Sequence, residues 1–457
     1  MNSELPKISV AEALAEKIVA LKPGTLPATT TRKCEELLID VVGLCVTARN
    51  ENYIKSSLAG CDDDGSCTAI GHVRTLNAAC AAFVNGTAAH GEDFDDTFEG
   101  GPVHAGAVIV PAVLAACERH NPDGRMALVG VAVGTEVLCR LSLVVPKAVH
   151  KAGFHPTAVF GAMGAAAGVG AALGLNARQI VDALGIAGSM AGGIIEYLTE
   201  GAWTKRLHAG WAAQSGIRAA LLARGGFVGP RTVFEGVHGL FHGFAHTTKG
   251  DYDALVGDFG ARWVTDTLAF KPYPCGTMAQ PYIDCARRLA ARGIRPEDVK
   301  EMVCEVAEGT VHRLWEPLAD KQRPRNGYAA KFATPYLLAA GFVHGGVGLG
   351  AFTESAIRDA RVLALAAKVK FVIDPANPYP DNYTGHIRAT LRDGSVVEER
   401  QPHLRGGAQE PLARQDVMDK FVLNAQHGGW GKAQCDAAVA LMAGLYQGRI
   451  DLRALRH

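Results

Sequence analysis

Apolar positions recur at helical spacing through most of the first 270 residues. Leu14, Ile18 and Leu21 lie three or four apart, and Leu37, Leu38, Val41, Val42 and Cys45 repeat the pattern, so each run predicts a helix with one buried face. Asn176 followed by Gln179 has the form of a capping box and opens a helix through Ala183 toward Ile186. Ala158 to Leu175 is different: eighteen residues with no charge and no strong polar group, which just meets the length of a membrane span. It is mostly Ala and Gly, and no Lys/Arg cluster or aromatic belt flanks it. It therefore predicts a buried helix packed through small residues, with Gly161, Gly164 and Gly168 as helix-contact positions. Long segments rich in strand formers are missing here, so this region reads as an all-helical domain.

The pattern changes after Phe270. Lys271-Pro-Tyr-Pro-Cys-Gly carries two prolines that cannot sit inside a helix. A helix follows from about Ala279 to Arg292. Val299, Glu301, Val303, Glu305 and Ala307 then alternate with Lys300, Met302, Cys304 and Val306, as in a strand. Lys368 to Ile373 is a second strand, and His386 to Glu399 holds two strand-like runs around Asp393-Gly394, a hairpin signal. From Asp416 the spacing is helical again. The expected fold is mainly α: a large all-helical domain from residues 1–270 with 406–457, and a smaller α+β domain from 271–405.

Composition narrows the function classes. The chain has 457 residues with 46 basic and 46 acidic side chains, hence no net charge; 48% are hydrophobic and 20% charged. A disordered chain needs far less apolar content, and a general nucleic-acid binder usually carries excess Lys and Arg. Eleven cysteines without a C-x-x-C, mostly in apolar helical stretches, read as buried free thiols in a reducing compartment rather than a disulfide framework. The start, Met-Asn-Ser-Glu-Leu-Pro-Lys, has no basic and apolar signal segment, so a cytoplasmic location is expected.

Three polar clusters carry candidate chemistry. His90-Gly-Glu-Asp-Phe-Asp-Asp-Thr97, followed by His104-Ala-Gly, holds Glu92, Asp93, Asp95 and Asp96 between two apolar stretches. Such a run is usually a solvated loop; beside histidines it also suits acid/base work or hard metal ligands. Gly153-Phe-His155-Pro-Thr157 precedes the small-residue helix, where an anion finds amide donors. In Thr204-Lys205-Arg206-Leu207-His208, a helix puts Lys205 and His208 on one face. Neighbouring cations disfavour each other's charge unless an anion joins them, so an anionic substrate fits there. Two patterns look like motifs and are not. His238, His242 and His246 have the spacing of helical metal ligands, but Gly239 and Gly243 weaken the helix and no H-E-x-x-H is formed. Gly346-Val-Gly-Leu-Gly350 lacks both G-x-G-x-x-G spacing and a clear preceding strand.

Taken together, His90–Thr97 with its Asp-Phe-Asp-Asp-Thr core, His104-Ala-Gly, Gly153-Phe-His-Pro-Thr, Thr204-Lys-x-Leu-His-x-Gly and Phe270-Lys-Pro-Tyr-Pro-Cys resemble the MmgE/PrpD family, in family order and over roughly residues 10–445. The resemblance implies a helical domain built from both chain ends plus a smaller α+β domain, a homodimer, and an active site between the domains. It implies chemistry on small polycarboxylates without a nicotinamide or flavin: the family includes 2-methylcitrate dehydratase, cis-aconitate decarboxylase and iminodisuccinate epimerase. By resemblance, Asp93 and Thr97 line the pocket, His104 and His155 are acid/base or carboxylate-binding groups, and Lys205 and Lys271 hold or protonate substrate, with His208 beside them. Many members carry a histidine shortly after Tyr-Pro-Cys; here Gln280 is the nearest polar match and Gly276 stands roughly where the decarboxylases have theirs. Gln binds a carboxylate but does not shuttle protons at neutral pH. The expected catalytic residues are thus Asp93, His104, His155 and Lys205, with Thr97, His208, Lys271 and Gln280 binding substrate and no resident metal or other cofactor. The expected activity is a hydro-lyase, with epimerase or decarboxylase as alternatives on the same substrate class. Nucleic-acid and membrane partners are not expected. The rivals are a metal-dependent hydrolase using His90, Asp93, Asp96 and His104, and a non-catalytic helical binding protein.

Overall fold

The structure is a computed structural model that describes residues 7–101 and 103–457. The terminal segment read above for a signal lies, apart from Lys7, outside the described residues. The chain forms two compact units, one holding residues up to Leu268 together with Ala413–His457, the other Ala269–Leu412. Helices dominate, and the one sizeable sheet among the described residues belongs to the second unit.

In the first unit, helix α1 (Val10–Ala20) starts at the Ser9/Glu12 capping box and buries Leu14 and Ile18; Leu21 is already extended. Helix α2 (Ala28–Ala48) buries Leu37, Leu38, Val41, Val42 and Cys45. A two-stranded antiparallel hairpin, β1 (Asp64–Thr68) and β2 (Thr75–Leu76), interrupts the helices. The sequence reading lacked it because Asp64-Gly-Ser-Cys-Thr is short and has no apolar alternation. Helices α3 (Ala78–Gly91), α4 (Gly106–His120), α5 (Gly124–Val144), α6 (Pro156–Ala172), α7 (Ala177–Met190) and α8 (Thr204–Arg224) follow. The Asn176/Gln179 capping box opens α7 as the sequence predicts.

Close helix contact explains the small residues. A Cβ on Gly164 would lie 2.7 Å from the Gly134 carbonyl oxygen, and one on Gly168 2.6 Å from that of Gly130. Helices α5 and α6 therefore meet backbone to backbone, and every residue of α6 is buried. Helix α6 ends earlier than the apolar run, at Ala172, where Gly174 adopts φ +68°. The same device brings α3 to α8: a Cβ on Gly86 would lie 2.8 Å from the Gly210 Cα. Helix α5 is long and apolar enough to cross a membrane by length and composition, and 89% of its apolar window is buried inside the unit.

In the second unit, helix α9 (Gln280–Ala291) packs on a four-stranded sheet of β3 (Val299–Val306), β4 (Val369–Ile373), β5 (Gly385–Leu391) and β6 (Val396–Gln401), in the order β4-β3-β5-β6, and helix α10 (Thr334–His344) packs on α9. Strand β3 runs parallel to β4 and antiparallel to β5; β5 and β6 form the hairpin about Asp393-Gly394, with Gly394 at φ +87°. The simple alternation expected for β3 is broken by a register shift between Val299 and Glu301. After it the buried positions are Met302, Cys304 and Val306, which join Ile283, Leu289, Trp315 and Ile387 in the core. Full burial of such side chains is worth about 1.5–3 kcal/mol each. The chain then returns to the first unit, where helix α11 (Arg414–His427) packs on α2 and is followed by α12 (Lys432–Gly444). All eleven cysteines are free, and all but Cys80 are buried. The His238/His242/His246 ladder does not form: the helix spans only Leu240–Ala245, His238 precedes it, and His246 caps it at φ +55°.

Candidate active site

The polar loop after α3 is the centre of the site. Glu92 ends the helix, and Asp93 takes φ +55°, a left-handed conformation that Asp tolerates better than most residues. The turn separates the carboxylates of one short string. Asp93 is buried and forms an ion pair with Lys205 of α8. Asp95 accepts a hydrogen bond from His90 Nδ1 at 2.6 Å, with both side chains fully buried. Asp96 accepts from the amides of Ala105 (3.0 Å) and Gly106 (2.9 Å), so it caps the start of α4. Burial pushes the Asp96 carboxyl up to about 7, with Asp95 and Asp40 adding and the two amides opposing.

Neighbouring elements hold this loop. Lys420 of α11 pairs with Asp40 at 2.8 Å, donates to the Phe94 carbonyl at 2.7 Å, and sits 3.9 Å from the centre of the Phe94 ring. Arg206 donates to the Gly91 carbonyl at 2.8 Å and stacks on Tyr53, whose hydroxyl reaches Glu92 at 2.9 Å. The C-terminal segment thus fixes a loop more than 300 residues earlier in the chain.

Four imidazoles converge on it. His104 Nδ1 donates to the Asp96 carbonyl at 2.7 Å, lies 3.5 Å from Thr97 Oγ1, and is 3.8 Å from Asp95 Oδ2. Its backbone amide donates to Thr157 Oγ1 at 3.2 Å, tying it to the start of α6. His155 occupies the N-cap of α6, with Pro156 at the first helical position. The His90 ring lies 5.1 Å from that of His104 and 5.5 Å from that of His155, nearly parallel to the latter. His155 Nδ1 and His208 Nδ1 share a 3.1 Å hydrogen bond, and Tyr197 packs against both rings. Lys205 and His208 project from the same buried face of α8. A cavity of about 630 Å³ runs beside His208, lined also by Tyr197, Gly193 and Thr204.

Electrostatics follow from this crowding. Burial holds His155 well below the usual histidine range, and His90, His208, Lys205 and His104 push it further down. His208 falls to about 4, mainly from burial, then from His90 and Lys205. Both rings are therefore neutral at pH 7, and an arriving anion would favour their protonation.

The structure brings Asp93, Thr97, His104, His155, Lys205 and His208 together in the first unit. Lys271 and Gln280 belong to the second. Lys271 is buried in the Pro-flanked segment, whose Phe270 amide donates to the Gly406 carbonyl at 3.0 Å. Tyr273 of that segment donates to Asp284 at 2.6 Å and is held up at about 12 by burial and by Asp284. Gln280 is fully buried and directs its Nε2 to the Tyr273 and Cys275 carbonyls at 3.2 and 3.4 Å, an anchor for the turn.

The metal set of His90, Asp93, Asp96 and His104 is not assembled as ligands: Lys205 takes Asp93, and the start of α4 takes Asp96. Among the described residues the one convergent group of ligand types is His90, Asp95 and His104, within 4.8 Å of one another. There His90 Nδ1 is already bonded to Asp95, and His104 Nδ1 to a carbonyl.

Residues 12–253 match the MmgE/PrpD N-terminal domain and residues 273–443 the MmgE/PrpD C-terminal domain. The chain belongs to the MmgE/PrpD family. Similar relatives include cis-aconitate decarboxylase of Homo sapiens, 30% identical over 91% of this chain and 88% of the relative. Cis-aconitate decarboxylase of Aspergillus terreus is 26% identical over 88% and 86%, and the cis-aconitate decarboxylase-like protein oryM of Aspergillus oryzae is 26% identical over 92% and 91%. Within this MmgE/PrpD chain the clustered residues all fall inside the N-terminal match, whereas Lys271 lies between the two matched spans.

Sequence reasoning did not assign Asp95 a role and placed His90 only in the metal set. The spacing Asp93-Phe94-Asp95 did not signal the separation of these acids, which comes from the left-handed turn at Asp93. Tyr197, Asp40 and Lys420 gave no local signal at all.

Proposed function

We propose that this chain is a lyase acting beside a carboxylate of a small di- or tricarboxylic acid, with removal of water as the first reading. The carrying observation is the group of four imidazoles and Lys205, largely buried, two of the imidazoles held neutral by burial and by neighbouring cationic groups. A polycarboxylate is the ligand class that such a group stabilises, because its charges offset the mutual repulsion of the nitrogens.

The chemistry needs a base for a weakly acidic C–H and cations for the charge that develops on the adjoining carboxylate. His104 suits the base. Its Nδ1–H is committed to a carbonyl, so the neutral ring carries its lone pair on Nε2. Lys205 suits the developing negative charge, exchanging Asp93 for the substrate carboxylate. In dehydration the hydroxyl leaves with a proton from a second imidazole; His155 takes that role once the bound polycarboxylate has favoured its protonation from solvent.

A second reading, decarboxylation, is favoured by the names of the relatives. It uses the same stabilisation: the electron pair left by departing CO₂ is held next to a carboxylate and then protonated. Against it, the Lys271–Pro281 segment offers no imidazole, and position 276 faces Phe332 and Leu314.

NMR of citrate, 2-methylcitrate and cis-aconitate incubated with the enzyme in D₂O separates the readings by product. His104→Asn and Lys205→Met are expected to lower kcat by roughly 10²–10⁴-fold on the best acid while the protein stays folded. Undiminished turnover by both folded variants would defeat the site assignment.

A further inference from the structure

Three acids of one loop have three different partners, and Asp95 is the one that faces imidazoles. Its Oδ2 accepts from His90 Nδ1 at 2.6 Å and lies 3.8 Å from His104 Nδ1. An acceptor-only carboxylate beside a ring nitrogen fixes that nitrogen as the protonated one. The Asp96 carbonyl does the same for His104 from its other side, at 2.7 Å. Both rings are thereby set in the Nδ1–H tautomer, with the lone pair on Nε2. His90 is completely buried, its Nε2 makes no hydrogen bond among the described residues, and its ring packs against both His104 and His155. A ring used only to fill space in an apolar core would not need a buried carboxylate.

We infer that Asp95 and His90 form a positioning pair for the proton-transferring imidazoles. Asp95 fixes the tautomer of His90 and offsets the positive charge that His104 acquires when its Nε2 takes a proton. His90 wedges His104 and His155 at their working separation. The proton moves from substrate carbon to His104 Nε2; Asp95 keeps its charge and takes none. This rests on the reading of His104 as the base. It assigns the supporting carboxylate to Asp95, while Asp93 serves Lys205.

The test uses Asp95→Asn, which keeps size but removes charge, and His90→Gln, which keeps a donor toward Asp95 but removes the ring. In the full-length enzyme, Asp95→Asn is expected to lower kcat by about 10²-fold or more, the scale of losing acid/base assistance, with KM changed by less than about threefold. His90→Gln is expected to lower kcat less, by about 10–100-fold, the usual cost of losing an orienting partner. Long-range ¹H–¹⁵N spectra of histidine-labelled protein give a readout independent of turnover. His90 and His104 both in the Nδ1–H form in the wild type, with His90 redistributing in Asp95→Asn, are the expected result. Folded variants with wild-type kcat and unchanged tautomers overturn the inference. So does one equivalent of tightly held divalent metal in the purified protein that Asp95→Asn releases, since the trio would then be a metal site. If the wild type turns over no acid, the functional reading fails, and the spectra still decide whether Asp95 sets the tautomers.

Discussion

Two clusters of charged side chains are buried in the first unit, and they are built in opposite ways. Around Arg140 every guanidinium nitrogen reaches an acceptor: Nε meets Glu136 at 2.5 Å, Nη1 the Ala254 carbonyl at 2.9 Å and Asp258 at 2.6 Å, and Nη2 the Arg262 carbonyl at 2.7 Å. Glu136 in turn accepts from the amides of Val264 and Thr265 and from the Thr265 hydroxyl. Around Lys205 the count of groups able to carry positive charge exceeds what the nearby acids balance. Two of its four histidines are driven neutral, and the Nε2 of His90 has no hydrogen bond among the described residues. The first cluster is closed and holds the 254–265 segment against α5. The second is electrostatically open, and an open buried cluster is expensive unless a ligand completes it. Satisfaction of hydrogen bonds, rather than burial or charge, is therefore what sets the two clusters apart.

The largest effect separates the two clusters by stability. Arg140→Met leaves Glu136 charged and buried with its main partner gone, which is expected to cost about 3–5 kcal/mol of folding stability. Turnover per folded molecule should be nearly unchanged. The double variant Asp93→Asn/Lys205→Met removes both charges together. It is expected to lie within about 1 kcal/mol of wild-type stability, because paired removal often breaks even, yet to abolish turnover. Denaturant melts with activity assays on the same samples check this. A double variant as unstable as Arg140→Met would mean that the Lys205 cluster is structural too.

The next effect is pH dependence. His208 has a folded pKa of about 4, below the ordinary histidine value of 6.5. The unfolded chain then binds more protons between those values, so stability is full above pH 6.5 and falls as pH drops toward 4. The loss from His208 alone is about 2 kcal/mol at pH 5, and His155, displaced in the same direction, adds to it. His208→Gln should remove the His208 share of the slope between pH 7 and pH 5. Melts at the two pH values decide it: an unaltered slope in this variant would show that His208 is not held neutral in the folded protein.

How far the sequence revealed all this depends on the range of the interaction involved. Helices α1, α2 and α7 and the β5–β6 hairpin were readable because periodicity, a capping box and Asp-Gly are local signals. Strand β3 was readable from its alternation, but the irregularity between Val299 and Glu301 shows only in its pairing with β5. The helical reading of Thr204–His208 put Lys205 and His208 on one face, as found. That Lys205 would choose Asp93 and not Asp95 or Asp96 depends on a left-handed turn at Asp93 that no spacing rule reports. His90 was visible as a residue but not as a neighbour of His155, which lies 65 positions away and meets it through the packing of α3, α8 and α6. Local grammar gave the elements; the partners came from packing.

The smallest effect is the most direct test of the open cluster. Propane-1,2,3-tricarboxylate has neither a hydroxyl nor a double bond, so it can bind without eliminating water. At ten times its Kd it should stabilise the folded state by about 1.4 kcal/mol, a rise of one or two degrees in Tm for a chain of this size. The comparison predicts which variants keep that rise. Arg140→Met melts lower but should respond to the tricarboxylate as the wild type does, because its defect lies in the closed cluster. Asp93→Asn/Lys205→Met melts near the wild type but should show little response, having lost the ammonium that meets a carboxylate. Added salt should weaken the response only modestly if the carboxylates are bound out of water, since buried pairs are poorly screened. An equal rise in both variants would place the anion away from Lys205, and the contrast between closed and open clusters would then carry no functional meaning.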